Sequence, residues 1–415
     1  MKRLISGLAL ASLASAAIGQ VIPGQGQQPR PNRPHTVGSG IGISIKLGGK
    51  KKPKTPEASP LEMRDVAIDE YVSDEVIFVI NGQDANAASI ARKANVSVID
   101  SAWLDESNVT MVVASLAYGD TVTAATARLE RQKGIAFAQP NYQFQLLGKS
   151  RPKRFELHVI PEKQPSVTGS IVMIDAVVDT AHDNLAGANV TQQFFGTDKS
   201  PAVHGTAIAA LLVGTGNYPG TAQGARLTSL AAFGGSGTDD VLSRTSFLAK
   251  AMNEASRLRP DVLNLSFGGP QDKLLGITLD TIRKNGVCVS AAAGNGGPSG
   301  KVLFPASHPS SLAVTAVDEK LHGYAYASQG DRIDVAGVGV GLNAAAPGGR
   351  RAVSGTSFAT AVVSGALLRM PACNGGRNPA AMKEQVAARA RDLGAKGHDA
   401  VFGNGLFRLS APVKK

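Results

Sequence analysis

The segment Gly355-Thr356-Ser357-Phe358-Ala359 decides how the rest of the chain is interpreted. An apolar run over residues 360–370 follows it and predicts a helix that begins near the serine. Small residues before Ser357 leave its hydroxyl uncrowded, and a helix start places it at the positive end of the helix dipole. Because the same triplet is also typical of an ordinary helix N-cap, further motifs are needed to identify a nucleophile.

Upstream motifs contain the partners that a nucleophilic serine requires. His204-Gly205-Thr206 begins an apolar, helix-like run, and Asp175 follows the apolar strand predicted over residues 171–174. An imidazole titrates near neutral pH, so it can take a proton from the serine hydroxyl and return it later. A carboxylate can orient the imidazole and stabilise it when charged. Asp, His, then Ser is one of the chain orders in which this triad occurs.

These motifs resemble those of the subtilisin-like serine peptidases, and the resemblance runs from about Ser73 to nearly the last residue. It implies that Ser357 is the nucleophile, that His204 is the base and that Asp175 orients the imidazole. Asn295, in Gly294-Asn295-Gly296 after a predicted strand, would stabilise the oxyanion together with the Ser357 backbone N–H. The alternatives are a plain Asn-Gly turn at Asn295 and a capping or buried histidine at His204.

The resemblance also implies where a substrate lies. The segment Leu265-Ser266-Phe267-Gly268, followed by Gly269, would pair with the substrate as an exposed backbone edge. With residues 291–294 it would form small, apolar walls around the residue before the cut bond. We therefore expect that residue to be apolar.

The aspartate segment departs from the family pattern. Asp-Ser/Thr-Gly is replaced by Asp175-Ala176-Val177, which removes a possible hydrogen bond and leaves a β-branched valine that tolerates fewer turn geometries. Asp179-Thr180-Ala181 partly resembles the same motif, so Asp179 is the alternative. A gapless match of residues 174–185 to the family favours Asp175.

Composition divides the chain into five segments. Lys2 and Arg3, an apolar run and then small residues predict an export signal over 1–19. A disordered linker rich in Pro, Gly and Lys is predicted over 20–72. A small α+β domain of βαββαβ order is predicted over 73–147. A basic connector over 148–166 is the expected region of maturation cleavage, but the sequence singles out no bond in it.

The fifth segment, 167–412, alternates between strands and helices, including a strand over 286–292 and a helix over 239–257 that begins at Thr238. This pattern predicts an α/β fold with a doubly wound, mostly parallel sheet and a site at the carboxyl ends of its strands. The domain over 73–147 resembles the propeptide of subtilisin-like enzymes, which assists folding and occupies the cleft until it is removed. The alternative is an independent small domain.

Composition limits the expected partners. The formal net charge is +11, but lysines cluster locally at 46–54 and no basic stripe is interleaved with aromatics, so we expect no nucleic-acid partner. The signal and the absence of a later apolar span predict a secreted or periplasmic protein without a membrane anchor. We also expect a monomer. No cofactor and no metal site is predicted; some family members bind structural calcium, for which no ligands can be assigned here. Cys288 and Cys373 are compatible with one disulfide or with two buried thiols.

The combined motifs predict an exported serine endopeptidase that hydrolyses polypeptides through an acyl-enzyme, with its own propeptide as intramolecular inhibitor. The second hypothesis is a catalytically impaired pseudopeptidase that uses the same fold to bind peptides or act as a scaffold, and it depends on the altered Asp175 motif. An esterase of the α/β-hydrolase class is disfavoured because Gly-x-Ser-x-Gly is absent around Ser357 and the order of the triad differs.

Overall fold

The computed structural model describes residues 70–83, 86–151, 165–216, 218–234, 242–375 and 378–407. All of them belong to one compact unit formed by residues 63–415. The predicted signal, nearly all of the predicted linker and most of the predicted connector lie outside the described residues.

The N-terminal domain has the predicted βαββαβ order. Its elements are β1 (Tyr71–Asn81), α1 (Ala87–Lys93), β2 (Val96–Leu104), β3 (Val109–Leu116), α2 (Val122–Glu130) and β4 (Ile135–Leu146). The four strands form an antiparallel sheet in the order β4-β1-β3-β2. The last strand, β4, is the longest of the four, and its residues 143–146 pair with strands of the second domain.

The second domain is built around a nine-stranded sheet in the order β17-β18-β14-β13-β12-β10-β6-β8-β7. All pairings in this sheet are parallel except β17 with β18. The elements of the second domain, in chain order, are β5 (Lys149–Arg151), β6 (Ser170–Ala176), β7 (Asn189–Phe194), α3 (Val203–Val213), β8 (Arg226–Phe233), β9 (Leu242–Arg244), α4 (Thr245–Leu258), β10 (Val262–Leu265), β11 (Phe267–Gly268), α5 (Lys273–Lys284), β12 (Cys288–Ala292), β13 (Leu312–Val317), β14 (Val335–Val338), β15 (Leu342–Ala346), β16 (Gly349–Ser354), α6 (Thr356–Leu367), α7 (Pro379–Arg389), β17 (Ala390–Arg391) and β18 (Leu406–Phe407).

Helices cover both faces of this sheet, as an apolar parallel sheet requires. In β6, Ile171 and Met173 face the core formed with α3 and α6, whereas Val172 and Ile174 face the core formed with α4 and α5. The mostly parallel, doubly wound architecture confirms the predicted fold class. Its strands β6, β10 and β12 all end at the same edge, which is where the candidate site lies.

The N-terminal sheet packs its second face against α4 and α5. In β1, Val76 and Phe78 contact the helices of their own domain, whereas Ile77 and Val79 join the core that contains α4 and α5. The strand is apolar on both faces because both are buried. The sheet therefore has a complete core only when it is docked on the second domain.

Two details of the second domain could not be derived from local sequence. The helix predicted over 239–257 begins at Thr245, and the earlier start was wrong: β9 precedes it as an extended segment paired with residues 143–145 of β4. Thr238 and residues 239–241 of that prediction lie outside the described residues. The backbone of β9 is hydrogen-bonded to a distant strand, so a tertiary contact overrides local helix propensity here. Cys288 and Cys373 form a disulfide, with their Cα atoms 5.6 Å apart, which settles a pairing that the sequence left open.

Candidate active site

Asp175 and His204 meet at the carboxyl end of β6. His204 lies in the first turn of α3, and its Nδ1 is 2.8 Å from Asp175 Oδ1. The same oxygen accepts the Ala176 N–H at 2.8 Å, which helps to compensate a carboxylate with no solvent exposure. A Cβ at Gly205 would clash with the Ala176 carbonyl, so glycine allows α3 to approach the strand. If Nδ1–H donates to Asp175, His204 Nε2 is left as a proton acceptor.

Ser357 is the second residue of α6 and is fully buried. Its hydroxyl donates to the Ser266 carbonyl at 2.7 Å, so it does not form the hydrogen bond to His204 that base catalysis requires. Among the described residues, His204 Nε2 and Asp175 Oδ2 are buried atoms without a hydrogen-bond partner. The free carboxylate oxygen is consistent with the missing hydroxyl at Ala176.

Asp179, the alternative aspartate, makes different contacts. Its backbone N–H donates to Thr206 Oγ1 at 2.9 Å, and its side chain is half-buried. Only Asp175 of these two aspartates hydrogen-bonds to His204 through its carboxylate.

Asn295 follows β12 and contacts the start of α6. Its Oδ1 accepts the Thr356 N–H at 3.2 Å and the Thr356 hydroxyl at 3.1 Å, and its carboxamide NH₂ lies near Gly355. Gly355 has φ +152°, and a Cβ there would lie 3.2 Å from Asn295 Nδ2 and 2.8 Å from the Leu147 carbonyl oxygen. The amide donor and that carbonyl thus face the same small space beside Gly355.

The end of β4 lies along the segment predicted to bind substrate. Phe267 and Gly268 of β11 pair antiparallel with Leu146 and Gln145, directly after Leu265 at the end of β10. The next residue, Leu147, donates its N–H to the Ser266 carbonyl at 3.3 Å and accepts the Ser357 N–H at 3.2 Å. A strand from the N-terminal domain therefore occupies the edge over Ser357.

A buried polar network that sequence reasoning missed ties β10 to α6. Asn264 Nδ2 donates to Ser266 Oγ at 2.9 Å, and Asn264 Oδ1 accepts from Ser364 Oγ at 2.8 Å. Ser266 Oγ in turn donates to the Ser357 carbonyl at 3.1 Å. This network fixes the backbone of Ser357 relative to the β11 edge. An asparagine inside the apolar strand Val262-Leu263-Asn264-Leu265 is the signal that could have revealed it.

Comparison with known proteins identifies the family. A family model described as "Subtilase family" matches residues 170–405, which is more than half of the chain. The chain belongs to the subtilase family. A second model, described as "Fervidolysin N-terminal prodomain", matches residues 58–141 of this subtilase, and the N-terminal domain is accordingly called the prodomain below.

Individual relatives agree with this assignment to the subtilisin-like serine peptidases. Subtilisin E of Bacillus subtilis is 27% identical over 305 residues, which cover 70% of this chain and 78% of the relative. The minor extracellular protease Epr of the same organism is 29% identical over 62% of this chain and 41% of its own length. The fold resembles the crystal structure of fervidolysin from Fervidobacterium pennivorans, with a TM-score of 0.69 and 20% identity. That match covers 85% of this chain, which spans 63% of the fervidolysin chain.

Two prodomain side chains contact the helix starts of the peptidase domain. Asn141 Oδ1 accepts the Ser246 N–H of α4 at 3.2 Å, and Gln139 Oε1 accepts the Leu274 N–H of α5 at 3.3 Å. Gln139 also donates to Asp272 at 3.0 Å. Burial raises the pKa of Asp272, although several hydrogen-bond donors contact its carboxylate and oppose that shift. The prodomain thus satisfies backbone donors that would otherwise face solvent at these helix starts.

Metal-binding clusters and membrane-spanning helices are absent from the part of the chain that the structure describes. No group of three or more His, Cys, Asp or Glu side chains there could hold a metal ion. No helix among those residues is both long enough and apolar enough to cross a bilayer.

Proposed function

We propose that this subtilase is an exported endopeptidase that hydrolyses polypeptides through an acyl-enzyme formed on Ser357. The observation that carries the proposal is the buried hydrogen bond between Asp175 and His204 at the carboxyl end of the sheet. The His204 ring lies 5.2 Å from the ring of Phe358, the residue after Ser357 at the start of α6. A carboxylate on Nδ1 holds the imidazole in the tautomer whose Nε2 can accept a proton. Export is supported by the signal-like sequence over 1–19 and by the extracellular relative Epr.

The reaction requires one rotation in this arrangement. The Ser357 hydroxyl leaves the Ser266 carbonyl and turns toward His204 Nε2, which has no hydrogen-bond partner among the described residues. His204 then removes the hydroxyl proton as Ser357 Oγ attacks the substrate carbonyl, and returns it to the leaving nitrogen. Asp175 stabilises the imidazolium that exists between these two steps.

The oxyanion would be stabilised by two donors, the Ser357 N–H and Asn295 Nδ2. Changing Asn295 to alanine is expected to lower kcat by about 10²–10³-fold, the loss measured for such a donor in the relative subtilisin, and to change KM little. Asn295→Asp is the matched variant, because it keeps the oxygen that Thr356 contacts and replaces the NH₂ with a negative oxygen. Steady-state kinetics on a peptide should show both variants impaired; an active Asn295→Asp enzyme would exclude the side chain as oxyanion donor.

A fluorophosphonate probe tests the function directly, because it labels a serine hydroxyl only when a base activates it. We expect the probe to label the wild-type protein on a band that lacks the prodomain, and to leave Ser357→Ala unlabelled. Circular dichroism of both proteins serves as the folding control. A folded, processed wild-type chain without label would instead favour the pseudopeptidase that binds peptides without cutting them.

A further inference from the structure

The strand that leaves the prodomain passes through the candidate active site without interruption. Before the site, residues 143–145 pair with β9 on one side, and residues 145–146 pair with β11 on the other. After the site, β5 pairs antiparallel with β16, with Lys149 opposite Ser354. Peptide substrates of proteases bind in this extended, backbone-paired form. The chain therefore lies against Ser357 as a bound peptide substrate would, with backbone pairing on both sides of one peptide bond.

From this geometry we infer that the protein cuts itself between Leu147 and Gly148. The inference rests on the proposed peptidase function, with Ser357, His204 and Asn295 in the roles given above. Leu147 is the residue whose carbonyl oxygen accepts the Ser357 N–H, at 3.2 Å, in the space that Asn295 Nδ2 also faces. A carbonyl in that position is the one that an oxyanion site polarises.

Gly148 occupies the position of the leaving group. A Cβ at this residue would lie 2.5 Å from the Phe358 ring and 3.2 Å from His204 Cδ2. The peptide thus runs beside the imidazole that must protonate the leaving nitrogen, in a space that admits only glycine. Gly148 is the only glycine in residues 143–151. Because a shift by one residue would bring Leu147 or Lys149 into that space, the neighbouring bonds are excluded.

Two apolar side chains hold the strand in this register. Leu147 is 3% exposed, and a Cβ at Gly268 would lie 2.8 Å from the Cδ1 atoms of both Leu147 and Leu303. Phe144, three residues earlier, is 1% exposed and packs edge-on against Phe267 with ring centroids 6.0 Å apart. The intervening residues 145 and 146 are half-buried, so Phe144 and Leu147 make the deepest contacts of the strand.

The groups already present, together with water, account for every bond and every proton in this cleavage. Ser357 Oγ attacks the Leu147 carbonyl carbon while its proton passes to His204 Nε2. The bond from that carbon to the Gly148 nitrogen breaks, and the proton moves from His204 to this nitrogen. Water then hydrolyses the Leu147 ester, which leaves a carboxylate at Leu147, a new N-terminus at Gly148 and a restored Ser357 hydroxyl.

The test determines the new termini of the full-length chain. Wild-type protein and Ser357→Ala are produced in parallel, probed with the fluorophosphonate, and analysed by N-terminal sequencing and intact mass. We expect the wild type to yield a fragment that begins at Gly148 and one that ends at Leu147, and Ser357→Ala to remain uncut there. Cleavage that depends on Ser357 but ends at another residue would overturn the inference and leave the peptidase function intact. A folded wild-type chain with neither label nor cleavage would contradict the function itself.

A second test changes a peptide substrate instead of the protein, so its outcome does not depend on whether a protein variant folds. The nonapeptide of residues 143–151, Gln-Phe-Gln-Leu-Leu-Gly-Lys-Ser-Arg, is incubated with the processed enzyme. Cleavage is expected only between its Leu147 and Gly148 positions. Gly148→Val and Phe144→Ala peptides should each lower kcat/KM by roughly 10–200-fold, the range for a misfit or a lost contact in a substrate pocket. Equal rates for all three peptides, or cleavage at another bond, would refute the assigned register.

Discussion

Replacing His204 with alanine is expected to lower kcat by about 10⁶-fold, the size of the loss measured when the catalytic histidine is removed from the relative subtilisin. His204 is held against Asp175 by a 2.8 Å hydrogen bond, and its Nε2 has no partner among the described residues. Without this acceptor, the Ser357 hydroxyl stays protonated and attacks an amide poorly. The full-length chain should therefore accumulate uncut.

The residual rate of the His204 variant can be measured after cleavage in trans. A trace of wild-type enzyme removes the prodomain from the variant, and a fluorophosphonate then inactivates the wild type but not the variant. His322→Ala is the control, since its side chain is 74% exposed and contacts Asp318 in a loop; its kcat should stay within about twofold, as expected of a surface change. Normal self-processing by His204→Ala would mean that another group acts as the base.

Asp175→Asn is expected to lower kcat by about 10⁴-fold while leaving the fold intact. The carboxylate accepts both the His204 Nδ1–H and the Ala176 N–H through one buried oxygen. A neutral asparagine cannot stabilise the imidazolium that forms when His204 takes the Ser357 proton, and with its NH₂ toward the ring it favours the tautomer in which Nε2 already carries a proton. The variant should therefore keep the His204 side chain in place but lose its capacity to act as the base.

Asp179→Asn is the matched control for this prediction. Both substitutions convert an aspartate near the end of β6 to its isosteric amide, but only Asp175 hydrogen-bonds to His204. The same peptide assay, after cleavage in trans, should show Asp179→Asn within about twofold of the wild type. A large loss at Asp179 with full activity at Asp175 would reverse the assignment. Full activity in both variants would show that the imidazole needs neither aspartate.

The local sequence pattern was sufficient to predict the fold class and the candidate site residues of this protein. Alternating strands and helices in the second domain predicted a doubly wound sheet, because each apolar segment must bury a face and parallel strands need crossover helices. Motifs at the ends of those segments selected Asp175, His204, Asn295 and Ser357 as candidates, since the ends of parallel strands converge on one edge. Their catalytic roles remain predictions that the variants above will test.

Tertiary structure decided what depends on residues far apart in the chain. The length of β4, the start of α4 at Thr245 and the pairing of Cys288 with Cys373 all follow from contacts across 85 residues or more. The bond that lies against Ser357 also depends on distant contacts, because no sequence motif in the connector indicates it. We assign it after Leu147 only because β4 pairs with β11 and Gly148 faces Phe358. A local pattern reports the preference of a segment for helix or strand, whereas register is set by the side chains and backbone groups of its distant partners.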